Sequence, residues 1–311
     1  MQKSSLKYPV EFVDDVFGDN SVLADIIGDS RVLIVADMNV VQRTQSLGTR
    51  IGAYLKAHRI SLAGQPVVMT GGERIKADGF QSALRVASAA VGSGLGSSDF
   101  VLALGGGTLL DVAGWVAAQV RGGVRLIRVP TTPASMMGAA FAEYASLDTP
   151  SVKDAFRLSI SPSAVIINER FAETVLDGVW RAGLGEAVRL AVDKDVKMLS
   201  TLSALAERYG KRDFDTLEKV VEMSVNLRRK KGGTELGLSS AAELEPKSAW
   251  KLPHGYAVAI GVLIDVYYDV KAGKRPQEEL DECKKILDTC GALDGARHSK
   301  HILPPELSDF W

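Results

Sequence analysis

The sequence predicts an α/β N-terminal domain, Rossmann-like with a mainly parallel sheet, followed by an all-α C-terminal domain. Three observations carry this reading. Through the first half, short β-branched runs alternate with longer amphipathic ones, the pattern of a parallel sheet covered on both faces. After about residue 169 the strand signals stop and only helical periodicity continues. Within the first half, a triple glycine closes one strand and opens a helix, which is where an open α/β sheet binds ligands. The boundary is drawn at 168/169, giving domains 1–168 and 169–311.

The runs "RVLIVAD" (31–37), "PVVMT" (66–70), "FVLAL" (100–104), "VRLIRV" (124–129) and "AVIIN" (164–168) read as strands. They are short, β-branched and mostly bounded by Gly, Pro, Asp or Asn. The segments 40–59, 80–91 and 109–120 between them have helical periodicity. "VGSGLGSS" (91–98) reads as a connecting loop, because a phosphate loop follows a strand and this stretch precedes one. In the second half "ERFAETV", "WRAGLGEAVRLAVDKDV", "MLSTLSALAERYG", "FDTLEKVVEMSVNLRRKK", "HGYAVAIGVLIDVYYDVKAG" and "PQEELDECKKILDTC" read as helices.

The 311 residues are 46% hydrophobic, with 37 basic side chains against 38 acidic, a globular composition. A net charge of -1 gives no reason to expect nucleic acid or a membrane as partner. No apolar run reaches transmembrane length, and "MQKSSLKYPV" lacks the apolar core of a secretory signal. Cys283 and Cys290 fall on one predicted helix, about 10 Å apart, beyond the roughly 7 Å reach of a disulfide. They are expected to be reduced core thiols of a cytoplasmic protein.

Gly105, Gly106 and Gly107 lie at the carboxyl end of a predicted strand. Backbone without side chains can approach a pyrophosphate closely, and a helix N-terminus favours its negative charge. Asp111, one turn into the helix, is placed to hydrogen-bond a sugar hydroxyl or an amide. The same glycines would also serve a tight turn packed against its neighbour. The pattern is not G-x-G-x-x-G, which would need glycine at Leu110, nor a P-loop. No G-x-S-x-G element or Cys/His pair signals a nucleophile.

The neighbouring motifs make the glycines specific. "VLALGGGTLLDVAGWVAAQVRGGVRLIRVPTT" resembles the core of the dehydroquinate synthase family, the sugar-phosphate cyclases, with its Gly-Gly-Gly, Asp-x-Ala-Gly, Arg-Gly and Pro-Thr-Thr in order. "VLIVADMNV", "GGERIKAD", "ERFAETV", "AGLGEAVRLAVDKD" and "LPHGYAVAIG" extend the resemblance over roughly residues 30 to 270. The resemblance implies a dehydroquinate synthase-like fold and NAD contacts at Asp37, Asn39, Val40, Glu73, Lys76, Gly105, Gly106, Gly107, Asp111, Thr131, Thr132, Phe171 and Thr174. It implies a divalent metal, zinc or cobalt, at Glu186 and His254, and substrate-handling cations at Lys153, Arg189 and Arg121. In the family that last arginine reaches a substrate phosphate, often across a dimer interface, so a homodimer is expected. The implied activity is transient NAD-dependent oxidation of a sugar phosphate, loss of phosphate and ring closure. The resemblance thus implies a carbon–oxygen lyase with a phosphorylated small-molecule substrate, with specialised metabolism as the expected setting.

Several positions depart from the family. The family's metal has one Glu and two His ligands, and catalytic zinc normally takes three protein ligands. Here Leu238 and Ala242 occupy the two histidine places of the segment before "LPHG", with Glu243 or Glu245 as the available substitutes. Gly138 and Tyr144 replace an Asp and a Lys of the substrate loop. Asp154 replaces an Asn, Arg189 a Lys, and Tyr256 a Glu. His298 and His301 form an i, i+3 pair read as a surface tail. Two other readings therefore stand beside the cyclase. One is a non-catalytic NAD-binding homologue acting as a partner or regulatory subunit. The other is an NAD-dependent polyol or alcohol dehydrogenase-like oxidoreductase, since iron-containing alcohol dehydrogenases share the two-domain architecture.

Overall fold

The structure, a computed structural model, describes residues 6–230, 235–294 and 300–304; His298 lies outside them. The chain divides into two compact units. One comprises Tyr8–Pro150 and Asp154–Thr174, the other Ser151–Lys153 and the residues from Val175 on, with Leu6 and Lys7.

The first unit contains strands β1 (Val10–Phe12), β2 (Arg31–Asp37), β3 (Ser61–Leu62), β4 (Val67–Met69), β5 (Phe100–Gly105), β6 (Arg125–Pro130), β7 (Tyr144–Leu147), β8 (Phe156–Ser159) and β9 (Ala164–Ile167). Its helices are α1 (Val22–Ile27), α2 (Met38–Arg43), α3 (Leu47–Ala57), α4 (Gln81–Gly92), α5 (Gly107–Gln119) and α6 (Pro133–Met137). Seven strands form one parallel sheet in the order β1-β9-β6-β5-β2. Beyond β2, β3 pairs with its first residues and β4 with its last. Every residue of β5 is buried, as a central strand covered on both faces requires. The chain leaves β2 toward β3 and β4 on one side and leaves β5 toward β6 on the other, which makes the β2/β5 junction the topological switch point.

All five expected strands form, and the mainly parallel sheet with it. The expected helix over 40–59 divides in two at "TQS", where Ser46 takes a left-handed φ of 53°. Of the expected connecting loop 91–98, residues 93–98 form the turn out of α4, while Val91 and Gly92 still belong to the helix. The antiparallel β7–β8 hairpin has no counterpart in the sequence reading. Its strands, "YASL" and "FRLS", are short and only half apolar.

The second unit is helical: α7 (Asp177–Ala182), α8 (Leu184–Lys194), α9 (Met198–Gly210), α10 (Phe214–Arg228), α11 (Leu238–Lys247), α12 (His254–Lys271) and α13 (Gln277–Cys290). The segment read as one helix over 180–196 breaks at Gly183. Helix α12 is apolar on nearly all sides and packs against α8, α11 and α13, as a central helix must. Cys283 and Cys290 are free, and burial pushes both thiols up to about 12, which leaves them protonated and inert. Among the described residues no helix is long and apolar enough to cross a membrane.

The first unit extends past residue 168 to Thr174. Residues Glu169–Thr174, expected as helix, form a 3-10 turn that packs on α2 and α6. The Arg43 guanidinium fixes it by donating to the Thr174 carbonyl at 2.8 Å.

Arg128, in the middle of β6, is fully buried. Among the described residues its guanidinium has no carboxylate partner. It donates instead to the carbonyls of Ala139, Ala140, Ala142 and Tyr144 at 2.5–3.3 Å, holding the segment between α6 and β7. Burial lowers its pKa. Arg128→Met is expected to destabilise the protein by roughly 3–5 kcal/mol in urea melts. Arg128→Lys should rescue little, because an ammonium lacks the planar fork that reaches several carbonyls.

Candidate functional site

All thirteen residues expected to touch a dinucleotide belong to the α/β unit. Parallel pairing brings the ends of β2, β4, β5 and β6 to one sheet edge, with Asp37 opposite Met69 and Gly105 opposite Pro130. The glycine turn joins β5 to α5. Gly105 is buried, while Gly106 and Gly107 are half-buried, so the turn is not covered over. A Cβ on Gly106 or Gly107 would press on Thr132 or Ala139 at 3.3 and 3.1 Å. Close packing therefore needs these glycines too. The N-terminus of α5 takes no side-chain cap. Its first-turn N–H groups, with the helix dipole behind them, suit an anion.

On the flanking strands, Asp37 caps α2 by accepting from the Asn39 N–H at 2.8 Å. Gly71 comes so close that a Cβ there would lie 1.9 Å from Asp37 Oδ2, so a side chain at this position would displace the carboxylate from its capping place. Asn39 is exposed, and Val40 and Phe171 are buried. The Thr131 hydroxyl is buried and finds no partner among the described residues. Thr132 forms a capping box with Ser135 at the start of α6, and the Thr174 hydroxyl donates to the Phe171 carbonyl. These last two have structural work that the sequence reading did not assign.

Glu73 and Lys76 share a 3-10 turn. The Lys76 ammonium is buried and reaches Asp111 at 2.7 Å, Ser146 at 3.0 Å, Asp154 at 3.0 Å and Asp148 at 3.6 Å. Burial alone would lower its pKa; the charges of Asp111, Asp154 and Asp148 outweigh burial and raise it well above the ordinary value. Lys76 and Asp111, expected as separate contacts, thus form one unit. Sequence reasoning missed Ser146 and Asp148, which the unpredicted hairpin delivers.

Arg121, an expected substrate cation, is exposed and lies in the 3-10 turn after α5 in a left-handed conformation, φ 47°, followed by two glycines at positive φ. Such backbone is uncommon for a non-glycine residue.

The other expected site residues lie in the helical unit. Glu186, in the first turn of α8, is buried. Its Oε2 accepts from Arg189 Nε at 2.9 Å and has Arg228, on the last turn of α10, at 3.6 Å. Burial alone would raise the carboxyl; Arg189, Arg228 and His254 outweigh it and hold it below the ordinary range. His254 opens α12, and its Nδ1 lies 2.7 Å from Oε1 of Glu245. The other Glu245 oxygen accepts from Lys153 at 2.7 Å. Burial would raise Glu245; His254 and Lys153 outweigh it and hold the carboxyl at about 2. Of the two glutamates named as substitutes, Glu245 is the one placed against His254, whereas Glu243 is exposed and pairs with Lys247. Both glutamates sit on α11, an unexpected helix occupying the segment where the family carries histidines.

The metal expectation rested on Glu186 and His254. The structure gives each an intramolecular partner, and among the described residues no three His, Cys, Asp or Glu are grouped to hold a metal ion. The residues present do not fit a catalytic metal. They do fit a dinucleotide: an uncapped helix start at the switch point, beside a buried hydroxyl without a partner.

This architecture, a parallel α/β unit followed by a helical one, is that of the dehydroquinate synthase-like cyclases. The solved structure of ValA, a 2-epi-5-epi-valiolone synthase from Streptomyces hygroscopicus subsp. jinggangensis 5008 with NAD+ and Zn2+ bound, matches with a TM-score of 0.78. It is 21% identical, over 96% of this chain and 88% of that one. A 2-deoxy-scyllo-inosose synthase complexed with carbaglucose-6-phosphate, NAD+ and Co2+ matches with a TM-score of 0.75 at 18% identity, over 94% and 82%. Residues 66–181 match the profile of the 3-dehydroquinate synthase N-terminal family. The 3-dehydroquinate synthase of Sulfurisphaera tokodaii is 26% identical over 245 residues, 75% of this chain and 68% of the relative. The family profile thus falls on the stretch that runs from β4 through the glycine turn to α7, and the fold around it is that of the dehydroquinate synthase-like cyclases.

Lys76→Met would leave three carboxylates around an apolar stem, a loss of roughly 3–5 kcal/mol near pH 8. Acidification relieves that crowding, so the gap to wild type should narrow when urea melts are repeated at pH 5. In the wild type the folded-state lysine pKa is raised. Its stabilisation is complete below the unfolded value of about 10.4 and should be lost as pH rises through the folded value.

Proposed function

We propose that the chain binds NAD+ at the β2/β5 sheet edge and acts on a phosphorylated, sugar-like small molecule as a divergent carbon–oxygen lyase of the cyclase type. The observation that carries this is the uncapped start of α5 at the topological switch point. NAD+ supplies there a hydride acceptor that can oxidise a substrate hydroxyl and later return the hydride. The N–H groups of Gly107 and Thr108 would face the pyrophosphate. Asp37 and Asn39, at the end of β2, suit the adenosine side. Asp111, oriented by Lys76, would bond a sugar hydroxyl or an amide. Arg121, exposed in the turn after α5, suits a substrate phosphate.

We extend the reading to a cytoplasmic homodimer in specialised metabolism. Its supports are the buried unpaired thiols, the family precedent for Arg121 and the structural likeness to valiolone and scyllo-inosose synthases.

One observation favours a second reading, an NAD-binding homologue that serves another enzyme without turnover. Lys153 and Arg189, the expected substrate cations of the helical unit, are each paired with a buried glutamate.

Calorimetry with NAD+ tests the site. We expect saturable binding that Gly107→Val weakens at least about tenfold, the Cβ crowding Ala139 and the branched side chain covering the helix start. No heat with any pyridine nucleotide overturns both readings. Turnover separates them. The lyase releases inorganic phosphate from a sugar phosphate without net NADH, whereas a dehydrogenase accumulates NADH. The partner subunit gives neither.

A further inference from the structure

We propose that the cationic charge beside Glu186 is built into the chain: Arg189 and Arg228 take the place of a divalent metal, and the protein does not take one up there. The argument starts with burial. Glu186 is 3% exposed, and a buried carboxylate must be matched by positive charge. In this chain the match is covalently attached. Arg189 lies one helical turn away on α8, with its Nε 2.9 Å from Glu186 Oε2, and Arg228 reaches the same oxygen from α10 at 3.6 Å. A divalent ion placed on that oxygen would meet two guanidinium groups that cannot deprotonate. A lysine could yield its proton and withdraw; an arginine cannot.

The second half of the cluster has to be weighed against this. A carboxylate on one ring nitrogen of a histidine is also the arrangement found behind metal-bound histidines. Glu245 on His254 Nδ1 therefore does not by itself exclude a metal. Glu186 decides, because without it the ion would have one protein ligand, where catalytic zinc takes three. The remaining cation is engaged in the same way: Lys153 pairs with Glu245 as Arg189 and Arg228 pair with Glu186, so both buried carboxylates are already matched by side chains.

The test needs neither NAD nor turnover, so its outcome is separate from that of the proposed activity. Tag-free protein is incubated with excess CoCl2 or ZnCl2, desalted and examined for metal content, cobalt d–d absorption and thermal midpoint. The wild type should retain only substoichiometric metal, show no protein-bound cobalt spectrum and melt at the same temperature in EDTA and in zinc. The variants Arg189→Met and Arg189→Met/Arg228→Met expose Glu186. They should melt lower, regain part of the loss in zinc, and display a cobalt spectrum that Glu186→Gln abolishes. One tightly held cobalt or zinc ion per wild-type chain, released by Glu186→Gln, would overturn the proposal. So would folded arginine variants that remain as indifferent to cobalt as the wild type. If those variants do not fold, metal content of the wild type decides alone.

Discussion

The ammonium of Lys76 joins pieces of the α/β unit that are far apart in sequence. Asp111 comes from the helix after the central strand, Ser146 and Asp148 from the end of β7, and Asp154 from the loop that leads into β8. The backbone follows the same tie, since the Asp148 N–H donates to the Lys76 carbonyl at 2.9 Å. Three carboxylates gather in a buried place only if a cation holds them, so the hairpin, the 3-10 turn at Lys76 and the first turns of α5 are placed together or not at all. The open start of α5, where a dinucleotide is proposed, is next to that tie.

The helical unit solves a similar problem with a different set of residues. Two buried glutamates, Glu186 and Glu245, are each matched by cationic or histidine side chains: Arg189 of the same helix and Arg228 of α10 for one, Lys153 and His254 for the other. Breaking such a pair leaves a bare buried charge, which costs more than the pair contributes. The positions that a metal and a substrate would use in a family member are thus part of what holds this unit together. Function and stability share residues here. A change that frees Arg189 or Lys153 for an incoming anion also removes the partner of a buried carboxylate.

How far the sequence was readable follows from the range of the forces involved. The runs at 31–37, 100–104, 124–129 and 164–168 formed strands within a residue or so of the expected ends, because a central parallel strand is a continuous apolar run with nothing competing. Helices were legible by periodicity, except where one polar residue in a left-handed conformation, Ser46, or one glycine, Gly183, broke a pattern that runs on through it. The β7–β8 hairpin and α11 went unseen. Their local patterns are weak, and contacts made elsewhere stabilise them: Lys76 and Arg128 on the one hand, Asp265 and His254 on the other.

By itself, the order of motifs determined the fold class, the resemblance to the sugar-phosphate cyclases and the location of the glycine turn, since each rests on residues close together in the chain. Which expected contacts became structural and which stayed open was decided only by tertiary structure. Thr132 turned into a helix cap while the Thr131 hydroxyl beside it was left without a partner. Glu245 and Glu243, two residues apart on one helix, went to a buried ion pair and to solvent. The physical reason is that charge pairing depends on distance in space. Nothing in the chain between Lys153 and Glu245, or between Arg228 and Glu186, reports that those side chains meet.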